Sequence, residues 1–198
     1  MNAAGLTKDQ QMLLDAFDNF GVKEYVVLEK GEVRVAVTGL FGKDCLACVV
    51  APPLVFEEPV EAMKETVAKI KANEDVDMIV CVSHSGTWED EAKSEDEILA
   101  KEVPELDLII SGHTHTKLDT AIQHGDTYIV SVGEYGKYLG SLSMSQKDNG
   151  RWNLDSYELI TVGEDIEEDP ETQKKVNELM DMVDAKYLEQ FDSNLSLD

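Results

Sequence analysis

Asp107-Leu108-Ile109-Ile110-Ser111-Gly112-His113-Thr114-His115-Thr116 decides how the chain is read. A short apolar run ends in a serine-glycine pair, and two of the chain's 4 histidines follow, one residue apart. Upstream, Met78-Ile79-Val80-Cys81-Val82-Ser83-His84-Ser85-Gly86 repeats the pattern with a third histidine. Both runs read as buried strands that carry an imidazole into the loop beyond their carboxyl end, where open α/β sheets hold ligands and metals. Between them Ser94-Glu95-Asp96-Glu97 has the form of a capping box and opens a short helix over Ile98–Glu102 that Pro104 ends. A strand, a helix and a strand in this order imply a crossover between parallel neighbours, so His84 should approach the double-histidine loop.

Working outward, Glu58-Pro59 starts a second helix, with proline at its first position and Val60, Met63, Val67 and Ile70 as its apolar stripe. Before it, Tyr25–Leu28 and Val33–Leu40 flank Lys30-Gly31 as a hairpin, and residues 41–57, broken by Gly42 and Pro52-Pro53, read as a loop. Thr7 caps a first helix that Gly21 stops after Phe20, with Leu13, Phe17 and Phe20 on one face. Downstream the period changes. Thr120–Gln123, Thr127–Val132, Leu139–Ser145 and Trp152–Ile160, separated by turns at His124-Gly125-Asp126 and at Asn149-Gly150, read as an antiparallel meander. An acidic linker over Asp165–Asp169 leads to a helix from Pro170 to about Phe191, with Val176, Leu179, Met180, Val183 and Tyr187 on its stripe, and Asp192 begins a polar tail.

The 198 residues suit one domain with an appendage, and a hydrophobic fraction of 42% is that of a folded chain. With 41 acidic against 17 basic residues the formal charge is −24, which argues against a nucleic-acid polymer or an anionic membrane as partner. No apolar run approaches the roughly 20 residues of a bilayer span. Residues 1–10 carry neither the basic nor the apolar part of a signal peptide, so the sequence as written has no export address and the location is left open. Three cysteines, Cys45, Cys48 and Cys81, make no disulfide framework. Cys45-Leu46-Ala47-Cys48 matches C-x-x-C, but no second pair accompanies it, and the cysteines are read as small apolar residues.

Imidazole suits zinc, manganese, iron, cobalt and nickel. His113 and His115, in a loop that turns at Gly112, can serve one cation together or two neighbouring ones, and His84 can join them. Thr114 and Thr116 offer groups to orient the rings. His124 is expected as an exposed turn residue, Glu89, Asp90 and Glu91 as a solvated loop, and Trp88 as a pocket wall or core cap. The serines beside the histidines lack a G-x-S-x-G elbow, and no Gly-rich phosphate or dinucleotide loop is present, so serine-hydrolase, P-loop and dinucleotide chemistry have no footing.

The segment from Val80 to Gly86 followed by Asp107 to Thr116 resembles the second half of a calcineurin-like metallophosphoesterase. Within that superfamily it is similar to the bacterial 5′-nucleotidase / 2′,3′-cyclic phosphodiesterase branch, as are Val33–Leu40, Phe56–Ala62, Val103–Asp107 and Gly133-Glu134-Tyr135-Gly136. The resemblance covers roughly residues 24 to 160. It implies part of a four-layer α/β/β/α sandwich, with βαβ units over about 24–116, an antiparallel meander over about 120–160 and a C-terminal helix. Residues 1–163 would form a partial phosphoesterase domain and 164–198 a linker, helix and tail. The resemblance further implies a hydrolase acting on nucleotides or other phosphomonoesters, with two divalent cations bridged by a carboxylate and a water or hydroxide. His84 and His113 match ligands of one cation and His115 a ligand of the other. The family's D-x-H, G-D and G-N-H-[DE] motifs do not precede His84 in this sequence. The chain therefore reads as half of a two-metal site, a piece of a longer enzyme that is inactive alone. The alternative is a stand-alone metal-binding or interaction module that associates with itself or another chain through an exposed sheet edge.

Overall fold

The computed structural model describes residues 6–50, 52 and 54–188. Its elements run α1 (Lys8–Phe20), β1 (Tyr25–Lys30), β2 (Val33–Phe41), α2 (Lys43–Ala47), α3 (Pro59–Asn73), β3 (Met78–His84), α4 (Glu95–Glu102), β4 (Leu108–Ser111), β5 (Ile122–His124), β6 (Thr127–Val130), β7 (Tyr138–Gln146), β8 (Trp152–Thr161) and α5 (Pro170–Val183), followed by a π-helical turn, Asp184–Leu188. They fall into two compact units, Met1–Thr161 and Val162–Asp198. No helix among the described residues is long and apolar enough to cross a membrane. The expected helix end at Phe191 and the tail from Asp192 lie outside the described residues, as does the first half (residues 1–5) of the stretch read for an export signal.

The first unit is α/β. Six strands form one sheet in the order β1-β2-β3-β4-β6-β5. β2, β3, β4 and β6 are mutually parallel, and β1 and β5 close the two edges antiparallel. β3 and β4 pair from Val80↔Leu108 to Ser83↔Ser111, with α4 as the crossover. β7 and β8 form a second, antiparallel sheet of two strands. The two expected hairpins of the meander are thus present but divided: β5–β6 joins the large sheet, and only β7–β8 stands apart. Strand-to-strand hydrophobic period is the same in both cases, so alternation alone does not assign a hairpin to a sheet.

Alternation along β3 sends neighbouring side chains to opposite faces of the sheet. Ile79 and Cys81 join Met63, Val67 and Ile70 of α3 and Leu99 and Ala100 of α4 in one core. Met78 and Val80 face β7–β8, in a second core with Leu108, Tyr128, Val130 and Trp152. Each fully buried Leu, Ile, Val or Met contributes about 1.5–3 kcal/mol. Arg151, in the loop before β8, donates to the carbonyls of Pro104, Glu105 and Leu106, and Trp152 Nε1 donates to Asp77 O, fastening the hairpin beneath β3 and β4.

Two expectations change here. Residues 43–47 form α2 within the stretch read as loop. The stripe on α1 exists and its Thr7 capping box and left-handed Gly21 are in place, but none of its residues is buried, and Phe20 is 89% exposed.

Candidate metal centre

Three chain segments leave the carboxyl ends of parallel β2, β3 and β4 and meet. β2 and β3 end on the pair Phe41↔His84, and Gly42 N donates to His84 O. A Cβ on Gly42 would lie 2.6 Å from Ser85 Cα, so glycine lets α2 start directly against the loop after β3. The carboxylate of Glu95, the first residue of α4, accepts from Lys43 N and Asp44 N at 2.8 Å each. It satisfies two of the free amides at the start of α2 and places negative charge at that helix's positive end. Lys43 is in turn ion-paired with Glu58.

The turn after β4 is tighter than its sequence suggests. Gly112 was expected to supply the bend, yet His113 and His115 themselves hold positive φ, 75° and 55°. Thr114 N donates to Gly112 O across His113, the closure of a γ-turn, a strained conformation for a residue with a side chain. Gly112 serves close approach instead: a Cβ there would lie 3.2 Å from His84 Nδ1 and 3.3 Å from Ser83 O.

The outcome is a cluster. Cys45 Sγ and one ring nitrogen each of His84 and His113 lie within 4.8 Å of one another. The two rings are 5.1 Å apart, Phe41 stacks on His84, and His113 Nε2 is 2.8 Å from Asp44 Oδ2. His115 is not in this group. Its Nδ1 lies 2.8 Å from Glu134 Oε2, its ring faces Tyr135, and its side chain is 57% exposed. The structure thus brings together two of the three expected histidines and sets the third on a separate carboxylate. Cys45, read as an ordinary apolar residue, is part of the cluster, while Cys48 is exposed and Cys81 is core. Burial raises the Cys45 thiol above its usual value, with the charges of Cys48, Asp44 and Glu95 adding to the shift.

A buried carboxylate supports the floor. Asp96 accepts from Ser83 Oγ and Ser111 Oγ at 2.5 Å each and from Gly86 N at 3.1 Å, so it ties the last residues of β3 and β4 to α4. Burial pushes its carboxyl up, against the pull of those three donors. Thr114 and Thr116, expected to orient the rings, instead bond Thr87 of the neighbouring loop. Ser94 caps α4 only by position: its Oγ accepts from Trp88 N, and Glu97 turns away to His124 Nε2 at 2.7 Å, so the expected capping box does not form. His124 correspondingly is a half-buried partner at the end of β5, not an exposed turn residue. Trp88 flanks a surface hollow with Lys43, Asp44, Lys93 and Glu95.

Two imidazoles, a thiol and a nearby carboxylate are the donor types of a first-row divalent cation. Donors at 2.0–2.3 Å from one ion are at most ~4.6 Å apart, so the spread of the cluster fits one ion after a small closing movement. His115 and Glu134 form a separate pair of possible donors, and Glu91, Glu97 and His124 a further group elsewhere among the described residues. No protein-family model matches the chain. It is 32% identical over 177 residues to the trifunctional nucleotide phosphoesterase YfkN of Bacillus subtilis, covering 84% of this chain and 12% of that protein. It is 31% identical over 180 residues to the 5′-nucleotidase of Vibrio cholerae, covering 76% of this chain and 32% of that one. The homologues of this chain are 5′-nucleotidases and metallophosphoesterases. The fold agrees: the crystal structure of a 5′-nucleotidase precursor from Thermus thermophilus superposes with a TM-score of 0.66 at 25% identity, over 82% of this chain and 34% of that one. The chain thus spans about a third or less of the length of these relatives, and its kinship is the one the paired histidine segments pointed to.

Proposed function

We propose that this chain supplies one wall of a two-cation phosphoester hydrolase site of the 5′-nucleotidase type, acting on nucleotides or other phosphomonoesters. The observation that carries the reading is the convergence of His84 and His113 at the ends of two adjacent parallel strands, with His115 held on Glu134 close by in sequence. His84 and His113 hold one cation. His115 holds the other, its ring oriented by the Glu134 carboxylate as metal-bound imidazoles commonly are. Bound divalent cations supply Lewis acidity to the phosphoryl group. The remaining work of this chain is positional: Asp96 fixes both strand ends, and the Glu95 cap fixes α2. No residue in this sequence matches the family's bridging carboxylate, so the set is incomplete without other ligands. In this reading residues 1–163 form the partial catalytic domain, and 164–198 an appended linker, helix and tail.

Two measurements on the pure chain test this. Adenosine monophosphate should bind only with zinc or cobalt(II) present, and chelator or His84→Ala/His113→Ala should abolish the binding; retention independent of cation and of both histidines would refute the site. Turnover of the same nucleotide with added zinc or cobalt(II) should stay at background, and robust metal-dependent hydrolysis would refute the incomplete set.

A second reading is favoured by one specific observation. β1 has a strand neighbour on one side only, and Val26 and Leu28 on it are 40% and 56% exposed. Such an edge suits pairing with a second copy, in a non-catalytic metal-binding or interaction module. Sedimentation velocity should then show a dimer that Val27→Pro weakens by removing a backbone donor; a monomer at the highest soluble concentration would dismiss it.

A further inference from the structure

We propose that Cys45 is a ligand, so that the cation held by His84 and His113 sits in a mixed thiolate–imidazole site. The inference rests on the reading of those two histidines as a cation site and deepens it by naming a third donor and a class of metal.

The placement of Cys45 is unlike that of an ordinary buried thiol. Every other buried apolar side chain among the described residues belongs to one of the two cores, and Cys45 alone belongs to neither. It is buried instead beside the carboxyl end of β3 and the turn after β4, with its sulfur within 4.8 Å of one ring nitrogen each of His84 and His113. The local architecture holds it there from both sides. Glu95 grips the first two amides of α2, and Gly42 lets the helix dock on Ser85 without a Cβ between them. From the opposite wall His113 accepts a strained φ of 75° that puts its ring beside α2, within 2.8 Å of Asp44. Strain of this kind persists only where the surroundings enforce it. Cys48, one turn further on, is exposed and its sulfur lies by Asp44 O, so the two cysteines of the C-x-x-C stretch have different roles.

Binding exchanges the S–H proton of Cys45 for the cation: a metal–sulfur bond forms, the S–H bond breaks, and the proton passes to solvent. One thiolate and two imidazoles select zinc, cobalt(II) or iron(II) over magnesium, calcium or manganese, which prefer oxygen. A histidine-only site would also disfavour magnesium and calcium, and the thiolate adds discrimination against manganese.

Cobalt(II) titration of the full chain reads the ligands directly. Wild type should develop visible d–d bands and a near-ultraviolet sulfur-to-cobalt charge-transfer band. The charge-transfer band should persist in Cys48→Ser/Cys81→Ala, where only Cys45 can give it. In Cys45→Ser it should be lost while the visible bands remain, at an affinity about 10-fold or more weaker. His84→Ala/His113→Ala should lose both. Visible bands without charge transfer in wild type, or loss of charge transfer in Cys48→Ser/Cys81→Ala, would overturn the Cys45 ligand and leave the histidine site standing. No cobalt spectrum in wild type would overturn both.

Discussion

At the scale of single residues, the centre is built from close approaches that only certain side chains permit. Gly42 is the sharpest case, since a Cβ would press into Ser85 Cα, Cβ and Oγ at 2.6–2.9 Å. Gly42→Ala should push α2 outward, cost about 1–3 kcal/mol as an overpacked contact, and weaken cation binding although no ligand is removed; calorimetric titration beside a denaturant curve checks both, and an unchanged affinity would contradict the assigned role. Asp96 gives a pH dependence. Its carboxyl is raised by burial, so the folded state keeps this proton to higher pH than the unfolded chain, whose value is about 3.9. Between those two values the folded state binds more protons, and the contribution of Asp96 to stability falls as pH rises. Comparing wild type with Asp96→Asn, the stability difference should therefore move in favour of the variant as pH is raised through that window; movement toward wild type would reverse the sign assigned to the group. The histidines were legible in sequence because each follows an apolar run. Cys45 was not, because its partners come from other strands: neighbouring Asp44 meets His113 across 69 positions of sequence.

At the scale of elements, the order of strands and helices followed from period and punctuation. Pro59 at the start of α3, Gly21 after α1 and the alternation of β7 all form where those signals place them. α2 escaped because a five-residue helix has too short a period to read, and what stabilises it is the distant Glu95 carboxylate. The capping box misled for the complementary reason: Ser94 and Glu97 have the spacing, but Trp88 in the preceding loop and the distant His124 take their side chains instead. Glu95→Ala should therefore cost about 1 kcal/mol, the scale of a lost helix cap. It should also lower cobalt affinity through displacement of Cys45. A stability loss with full retention of the cobalt spectrum would show that α2 does not depend on this cap for its position.

At the scale of the whole molecule, the first unit layers helices on a sheet and that sheet on a hairpin, with the cluster at the carboxyl ends of the parallel strands. The parallel sheet and its crossover were legible, because apolar runs alternating with helical periods leave few arrangements. The partition of the later strands between two sheets was not, since it is decided by β6 pairing with β4 and by Arg151 and Trp152 holding β7–β8 below. Val82 and Ile110, paired across β3 and β4, remain 48% and 41% exposed near the site. That half-open wall suits the proposed reading, in which the centre holds one cation without completing a two-cation pair. The most direct measurement is metal content after equilibrium dialysis against zinc, for wild type and for His84→Ala/His113→Ala/His115→Ala. The wild-type chain should retain about one equivalent and the triple variant close to none; equal zinc in the two proteins would contradict the site.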